Sequence, residues 1–233
     1  SPRITDPDYL DWMEDTCNDM RVDLLLTLLV DDLLQLESRR TSLLEVGCRL
    51  VGAPIGSIEV SRDKLAVGRV CEENGLLYPK TWSEKQARSQ QQFPWPLIAK
   101  PRFGRGSRGI RYLENKASLA SMLYCLDAAA VRETYIFQEF IEGQEFGFDI
   151  VNDLDGCYRA VLARRKIAMR GGETDIAETL DPTEYSSLAK DLSRALQHQG
   201  VMDVDAIEHK GRMFVLDLNI RFGGGYGFSH LSG

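Results

Sequence analysis

Nothing constrains this chain more than one pair of apolar runs near its end, VMDVDAIEH and RMFVLDLNI, separated by Lys210-Gly211. A tight turn between two strand-like runs predicts an antiparallel hairpin. Side chains two apart on a strand share a face, so Asp217 and Asn219 point the same way. Pairing across the turn brings Asp205 level with them. Two carboxylates aimed together repel unless a cation lies between them. With an amide oxygen beside them, they are the hard donors that suit Mg²⁺, which fills the rest of its shell with phosphate oxygens and water. The competing reading is a solvent-facing polar row on an amphipathic sheet. Arg221 falls on the same face and could grip a phosphate through two parallel hydrogen bonds. The strand then gives way to Gly223-Gly224-Gly225, which offers backbone donors and room for a ligand.

Composition narrows the class. At 233 residues and 43% hydrophobic, the chain can bury one large core or two smaller ones. A net charge of −7 argues against a general nucleic-acid or anionic-membrane binder. The five cysteines are scattered and nowhere in CxxC spacing, as in a reduced, cytoplasmic chain. No apolar run nears the roughly 20 residues of a membrane helix, and no secretory signal opens the chain. The abrupt ends, SPRITDPDYLDW and Gly233, lead us to expect part of a longer protein.

Apolar spacing predicts a helix over 8–20, a buried strand in LLLTLLV (24–30), a helix over 32–46 capped at Gly47, and a strand over 48–53. That alternation reads as a piece of a doubly wound α/β sheet. A second unit opens with a helix from Asp63 to about Asn74. Residues 86–96 read as a loop, LIAKP and GIRYL as a hairpin, and 116–130 as a helix. The last stretch is rich in strands, interrupted by a helix from Pro182 to Gln199 with Asp181 as its N-cap and Gly200 as its stop.

Between LIAKP and GIRYL lies FGRGSRG. Gly104, Gly106 and Gly109 let backbone N–H groups approach an anion, Ser107 adds a hydroxyl, and Lys100 and three arginines stand nearby. A phosphate chain fits this loop. A mobile hairpin with solvated arginines is the alternative, since the pattern is neither a Walker A loop nor a dinucleotide fingerprint. Gln138 to Glu145 (QEFIEGQE) could present backbone edges and apolar faces to a purine, with Glu145 accepting from sugar hydroxyls; an ordinary strand–turn–strand is the simpler reading.

Taken in order, these pieces resemble the ATP-grasp superfamily, and within it the carbamoyl-phosphate-synthase-like carboxylate ligases. RDKLAVGRVCEENGLLYPKTW is similar to the helix entering that family's nucleotide domain, LIAKPRFGRGSRG to its phosphate flap, QEFIEGQEFGFDIV to its hinge, and LDLNIRFGGGYGFSH to its metal-and-phosphate strand. The resemblance implies an ATP-grasp fold of two α+β subdomains, at 61–134 and 135–233, preceded by part of a Rossmann-like domain at 1–60. It implies ATP phosphates on Lys64, Lys100 and Ser107, and adenine on Gln138 and the backbone of Glu139, Phe140 and Ile141. It further implies ribose on Glu145, Mg²⁺ (or Mn²⁺) on Asp205, Asp217 and Asn219, and Arg221 on an acyl phosphate. Arg164 or Arg165 would help hold phosphate or a substrate carboxylate. Such ligases join a carboxylate to an amine through an acyl phosphate, releasing ADP and phosphate, and a homodimer is compatible with the pattern. The sequence departs from it at Asp217, where glutamate is usual, at Ile220, where proline is usual, and at Asp31-Asp32-Leu33-Leu34. A kinase-like phosphotransferase and a non-catalytic nucleotide-binding module remain as alternatives.

Overall fold

The computed structural model describes residues 1–104, 109–129 and 134–232. Helix α1 (Tyr9–Asp19) leads into a two-residue strand β1 (Leu24–Leu25); α2 (Val30–Leu36) and α3 (Arg40–Glu45) follow, then β2 (Arg49–Leu50) parallel to β1. The leucine run is therefore not the buried strand expected of it. Only two of its residues pair, and Leu24, Leu26, Leu28 and Leu29 are 44–68% exposed. Two rungs of parallel pairing are all that residues 1–60 carry of a doubly wound sheet. A helix that periodicity did not reveal, α4 (Ile55–Arg62), runs into α5 (Lys64–Glu73).

Strand β3 (Thr81–Ser83) and helix α6 (Glu84–Ser89) come next, where part of a loop was expected. Helix α6 has its own start signal: Ser83 and Gln86 form a reciprocal capping box. Strands β4 (Leu97–Pro101) and β5 (Arg111–Leu113), helix α7 (Lys116–Ala128) and strand β6 (Tyr135–Glu139) complete a four-stranded antiparallel sheet, in the order β3-β6-β4-β5. Helices α6 and α7 cover one face, where Ala87, Leu97, Ala99, Leu119, Leu126 and Phe137 form a small core.

The chain then crosses to a second antiparallel sheet. It is built from β7 (Gln144–Asn152), β8 (Tyr158–Arg170), β9 (Glu173–Leu180), β10 (Gly200–His209) and β11 (Arg212–Asn219), in the order β11-β10-β7-β8-β9. Between β9 and β10, Asp181 caps a short 3₁₀ turn by accepting from the Thr183 N–H, and α8 (Ser186–Leu196) follows. This helix stops earlier than expected, because Gln197 takes the left-handed conformation (φ 47°); Gly200 instead opens β10. Helix α9 (Tyr226–Leu231) closes the chain.

One core joins the first helices to the larger sheet. Buried residues of α1 to α4, together with Val67 and Cys71 of α5, share one core with Phe146, Phe148, Met202, Val204 and Leu218 of the larger sheet. Strand β6 belongs to the smaller sheet. Among the described residues no helix is long and apolar enough to cross a membrane.

Candidate active site

Register decides which side chains meet. Lys210 and Gly211 both take positive φ (51° and 72°), the twist a two-residue hairpin turn requires. From that turn Asp205 pairs with Asp217, and Asp203 with Asn219. Simple alternation would not allow this, because Val215 and Leu218 are both fully buried yet three residues apart. A β-bulge resolves the conflict: Ala206 pairs with Val215, Asp205 with Asp217, and Leu216 is the extra residue. The bulge turns both apolar side chains to the core and both polar ones to the opposite face.

Further pairings extend that face across the sheet. Asp205 stands opposite Gly147, and Gly147 opposite Arg164; Asp203 stands opposite Asp149. Lys166 and Glu145 flank this row. The polar face forms one wall of a cleft of about 820 Å³ between the sheets. Lys64, Lys100, Glu145, Asp205, Asp217, Asn219 and Arg221 all line it, joined by Arg164, Lys166 and Asp203. A second hollow, of about 760 Å³ near Arg40, Tyr158 and Lys190, holds none of the anticipated site residues.

The charges in the cleft interlock. Lys64, the first residue of α5, follows its N-cap Asp63, whose carboxylate accepts from Leu65 N–H and pairs with Arg102. The Lys64 Nζ donates to the Gly104 carbonyl at 2.6 Å and lies 3.6 Å from Asp217 Oδ1. Lys166 Nζ is 2.5 Å from Asp205 Oδ1 and 3.7 Å from Glu145 Oε2. Burial opposes the charge on Lys166, but Asp205 and then Glu145 outweigh it and hold the ammonium above its ordinary range. Burial pushes Lys100 down to about 8, with Asp217 opposing the shift and Lys64 adding to it. Burial likewise raises Asp217, against the pull of Lys64 and Lys100. Asp203 is pushed up to about 7, first by burial and then by Asp205, with Arg164 pulling the other way.

The choice between Arg164 and Arg165 follows from the pairing of Phe146 with Arg165, which puts Arg165 on the other face. There it pairs with Glu178. Arg164 is 2% exposed, bound to Asp149 and, at 2.9 Å, to Asp203. Lys166 and Asp203 were missed by sequence reasoning, although the two-residue period through Arg164 and Asp205 could have found both.

The expected adenine segment is not among the residues lining the cleft. Gln138 is 3% exposed and donates to Thr81 Oγ1 at 2.8 Å. The backbone N–H of Glu139 donates to the Lys80 carbonyl, and that of Phe140 to the Pro96 carbonyl. Those two donors are already taken, and the Phe140 ring stands edge-on to Tyr112 at 5.4 Å. Ile141 is half-buried, and Ser107 lies outside the described residues.

The donor set fits a divalent cation. Asp205 and Asp217 are directly opposed, Asn219 is the next side chain on that face, and all three are oxygen donors lining the same cleft. Among the described residues no group of three or more His, Cys, Asp or Glu side chains is placed to hold a metal, so such a cation would depend on the amide and on phosphate oxygens as well.

The architecture is α+β, two antiparallel sheets facing one cleft of cations and carboxylates. Residues 61–225 match the ATP-grasp domain family, and the chain belongs to that family. It is 27% identical over 168 residues to the carbamoyl phosphate synthase large chain of Rubrobacter xylanophilus, covering 67% of this chain and 16% of that protein. It is 20% identical over 190 residues to the arginine-specific large chain of Bacillus subtilis, covering 76% and 18%. The chain thus spans less than a fifth of the curated relatives' length. N5-carboxyaminoimidazole synthetase from Staphylococcus aureus, complexed with ADP, superposes with a TM-score of 0.74 at 13% identity, covering 99% of this chain and 61% of that one. L-amino acid ligase from Bacillus licheniformis does so with 0.69 at 19% identity, covering 97% and 57%. These two likenesses show the fold.

Proposed function

We propose that this chain is the nucleotide-binding part of an ATP- and Mg²⁺-dependent carboxylate–amine ligase. The observation that carries the reading is the convergence of Lys64 from α5 and of Lys100, Asp205, Asp217, Asn219 and Arg221 from the two sheets and their ends on one cleft. Lys64 and Lys100 would bind the phosphates of ATP, and Asp205, Asp217 and Asn219 would hold Mg²⁺. The ion, when bound, neutralises phosphate oxygens as charge shifts during transfer. Arg221 would stabilise the carboxyl phosphate formed when a substrate carboxylate attacks the γ-phosphate. An amine then displaces phosphate. Among the cleft residues none is needed as a covalent nucleophile; positioning and charge neutralisation carry the step. Glu145 would meet the ribose. Gln138 and the segment from Glu139 to Ile141 would meet adenine, through groups other than the two engaged N–H donors.

One observation favours a second reading, a nucleotide-binding module without metal: Lys166 already satisfies Asp205 at 2.5 Å. A screen of amino-acid and small-carboxylate pairs for ADP release, run with and without Mg²⁺, tests both. Release of ADP and free phosphate that requires the ion supports the ligase. Phosphate retained on a product marks a kinase instead, and nucleotide binding indifferent to the ion marks the module.

A further inference from the structure

Beside the acids of the cleft lies a charged group that is almost wholly buried. Arg164 is 2% exposed, and its two terminal nitrogens are committed within the protein. One bonds Asp149 of β7 and lies 3.4 Å from Ser229 Oγ of α9; the other donates to Asp203 of β10. Ser229 closes the circuit by donating to Asp149 at 2.5 Å. Two neighbouring strands and the closing helix are thus tied to one side chain of β8.

The glycines around it supply the second observation. A Cβ on Gly147 would come within 2.7 Å of Arg164 Nε, and one on Gly225 within 2.5 Å. A Cβ on Gly223 would lie 2.2 Å from the Asp203 carboxyl carbon. None of the three has left-handed backbone, so space rather than conformation is what excludes a side chain. The guanidinium lies between Gly147 of the sheet and Gly225 of the loop. Two glycines of the run after Arg221 are therefore fitted to a buried ion cluster, where the sequence had led us to expect room for a ligand.

We infer that Arg164 is a positioning residue. It fastens the loop at 222–225 and Asp203 to the large sheet, so that Arg221, whose guanidinium donates to the Phe222 carbonyl of that loop, is held at the cleft, and it takes no ligand itself. The inference rests on the proposed nucleotide reading for its catalytic consequence, but not for its structural one. Removing Arg164 leaves two carboxylates buried without their cation, which itself can unfold a protein. The test therefore centres on Gly225→Ala, which intrudes on the guanidinium and removes no charge. Arg164→Met and the Arg164→Met/Gly225→Ala pair complete a double-mutant cycle.

Hydrogen exchange is read on peptides covering 222–230 and, as a control, 97–101 and 135–139 of the smaller sheet; ADP affinity with Mg²⁺ and the rate of phosphate release are read alongside. Gly225→Ala should speed exchange at 222–230 at least tenfold and leave the control within twofold. It should slow phosphate release at least tenfold and keep ADP affinity within threefold. In the Arg164→Met background the same alanine should add less than twofold, since the ion cluster it would disturb is then already gone. Unchanged exchange at 222–230, equal effects in both backgrounds, or a fall in ADP affinity that matches the fall in turnover would overturn the inference. If wild-type protein releases no phosphate with any substrate pair, the proposed activity fails, and the exchange cycle alone decides the role of Arg164.

Discussion

The two hairpins that face the cleft are built in opposite ways. The β10–β11 hairpin has seven paired positions, a bulge that sorts its side chains, and a continuation through β7 to β8 and β9. The β4–β5 hairpin has three paired positions, and Phe103 near its tip is 60% exposed. The first fixes acids and Arg164 in a five-stranded sheet; the second delivers Lys100 from just beyond its short register, where Lys100 pairs with Ile136 of β6 beside a glycine-rich loop. On the proposed reading, the contrast suits what each component would do. Groups that share a cation must hold ångström-scale geometry, whereas a phosphate cover needs only charge and reach.

Breaking the long hairpin's contribution should therefore have the largest effect. Asp217→Ala and Asp205→Ala should each lower Mg²⁺-dependent turnover by about 10³-fold, the scale of losing a main electrostatic stabiliser, while ADP still binds. Turnover that survives both changes would remove the metal assignment. On the short hairpin, Lys100→Ala should act on binding, weakening ATP by about 10- to 100-fold, as for a lost charged hydrogen bond. Because burial brings Lys100 down to about 8, its charge is present below that pH and lost above it. Wild-type ATP affinity should be level below about pH 8 and fall by up to about tenfold per unit above it, and Lys100→Ala should flatten that limb in a calorimetric titration.

The connection between β6 and β7, which joins the two sheets, gives a smaller, structural effect. A Cβ on Gly143 would lie 2.0 Å from the Glu208 carbonyl oxygen, so Gly143→Ala should cost about 1–3 kcal/mol through overpacking, read as a lower urea midpoint. The smallest effect belongs to the framework behind the long hairpin. His198 is fully buried, with Nε2 3.1 Å from the Ile150 carbonyl, and burial lowers it from 6.5 to about 4. The folded state resists protonation, so His198's contribution is complete above pH 6.5 and lost as pH falls towards 4. About 1 kcal/mol should disappear over the first pH unit below 6.5, and His198→Gln should abolish that part of the slope.

What was legible in the sequence follows the same divide. The long hairpin could be read because its turn, its alternation and its acids agree, even though the bulge at Leu216 was not foreseen. Strand β9 was not read, since ETDIAETL pairs on one side only, at the sheet edge, and carries no apolar alternation. The leucine run misled because a continuous apolar stretch implies burial, and only two of its residues found a strand partner. Arg164 and Arg165 could not be separated without knowing that Phe146 pairs with Arg165. The glycine run was read as space for a ligand, although Gly223 and Gly225 are required by Asp203 and Arg164.

The most direct test of the shared cleft is Mn²⁺ binding followed by electron paramagnetic resonance, with Mn²⁺ in place of Mg²⁺ and ADP added or withheld. Wild-type protein should bind one ion tightly only when ADP is present, Asp217→Ala should lose that ion, and Lys100→Ala should need more ADP to acquire it. Tight Mn²⁺ binding that ignores ADP, or that persists in Asp217→Ala, would contradict a single site assembled from both sheets.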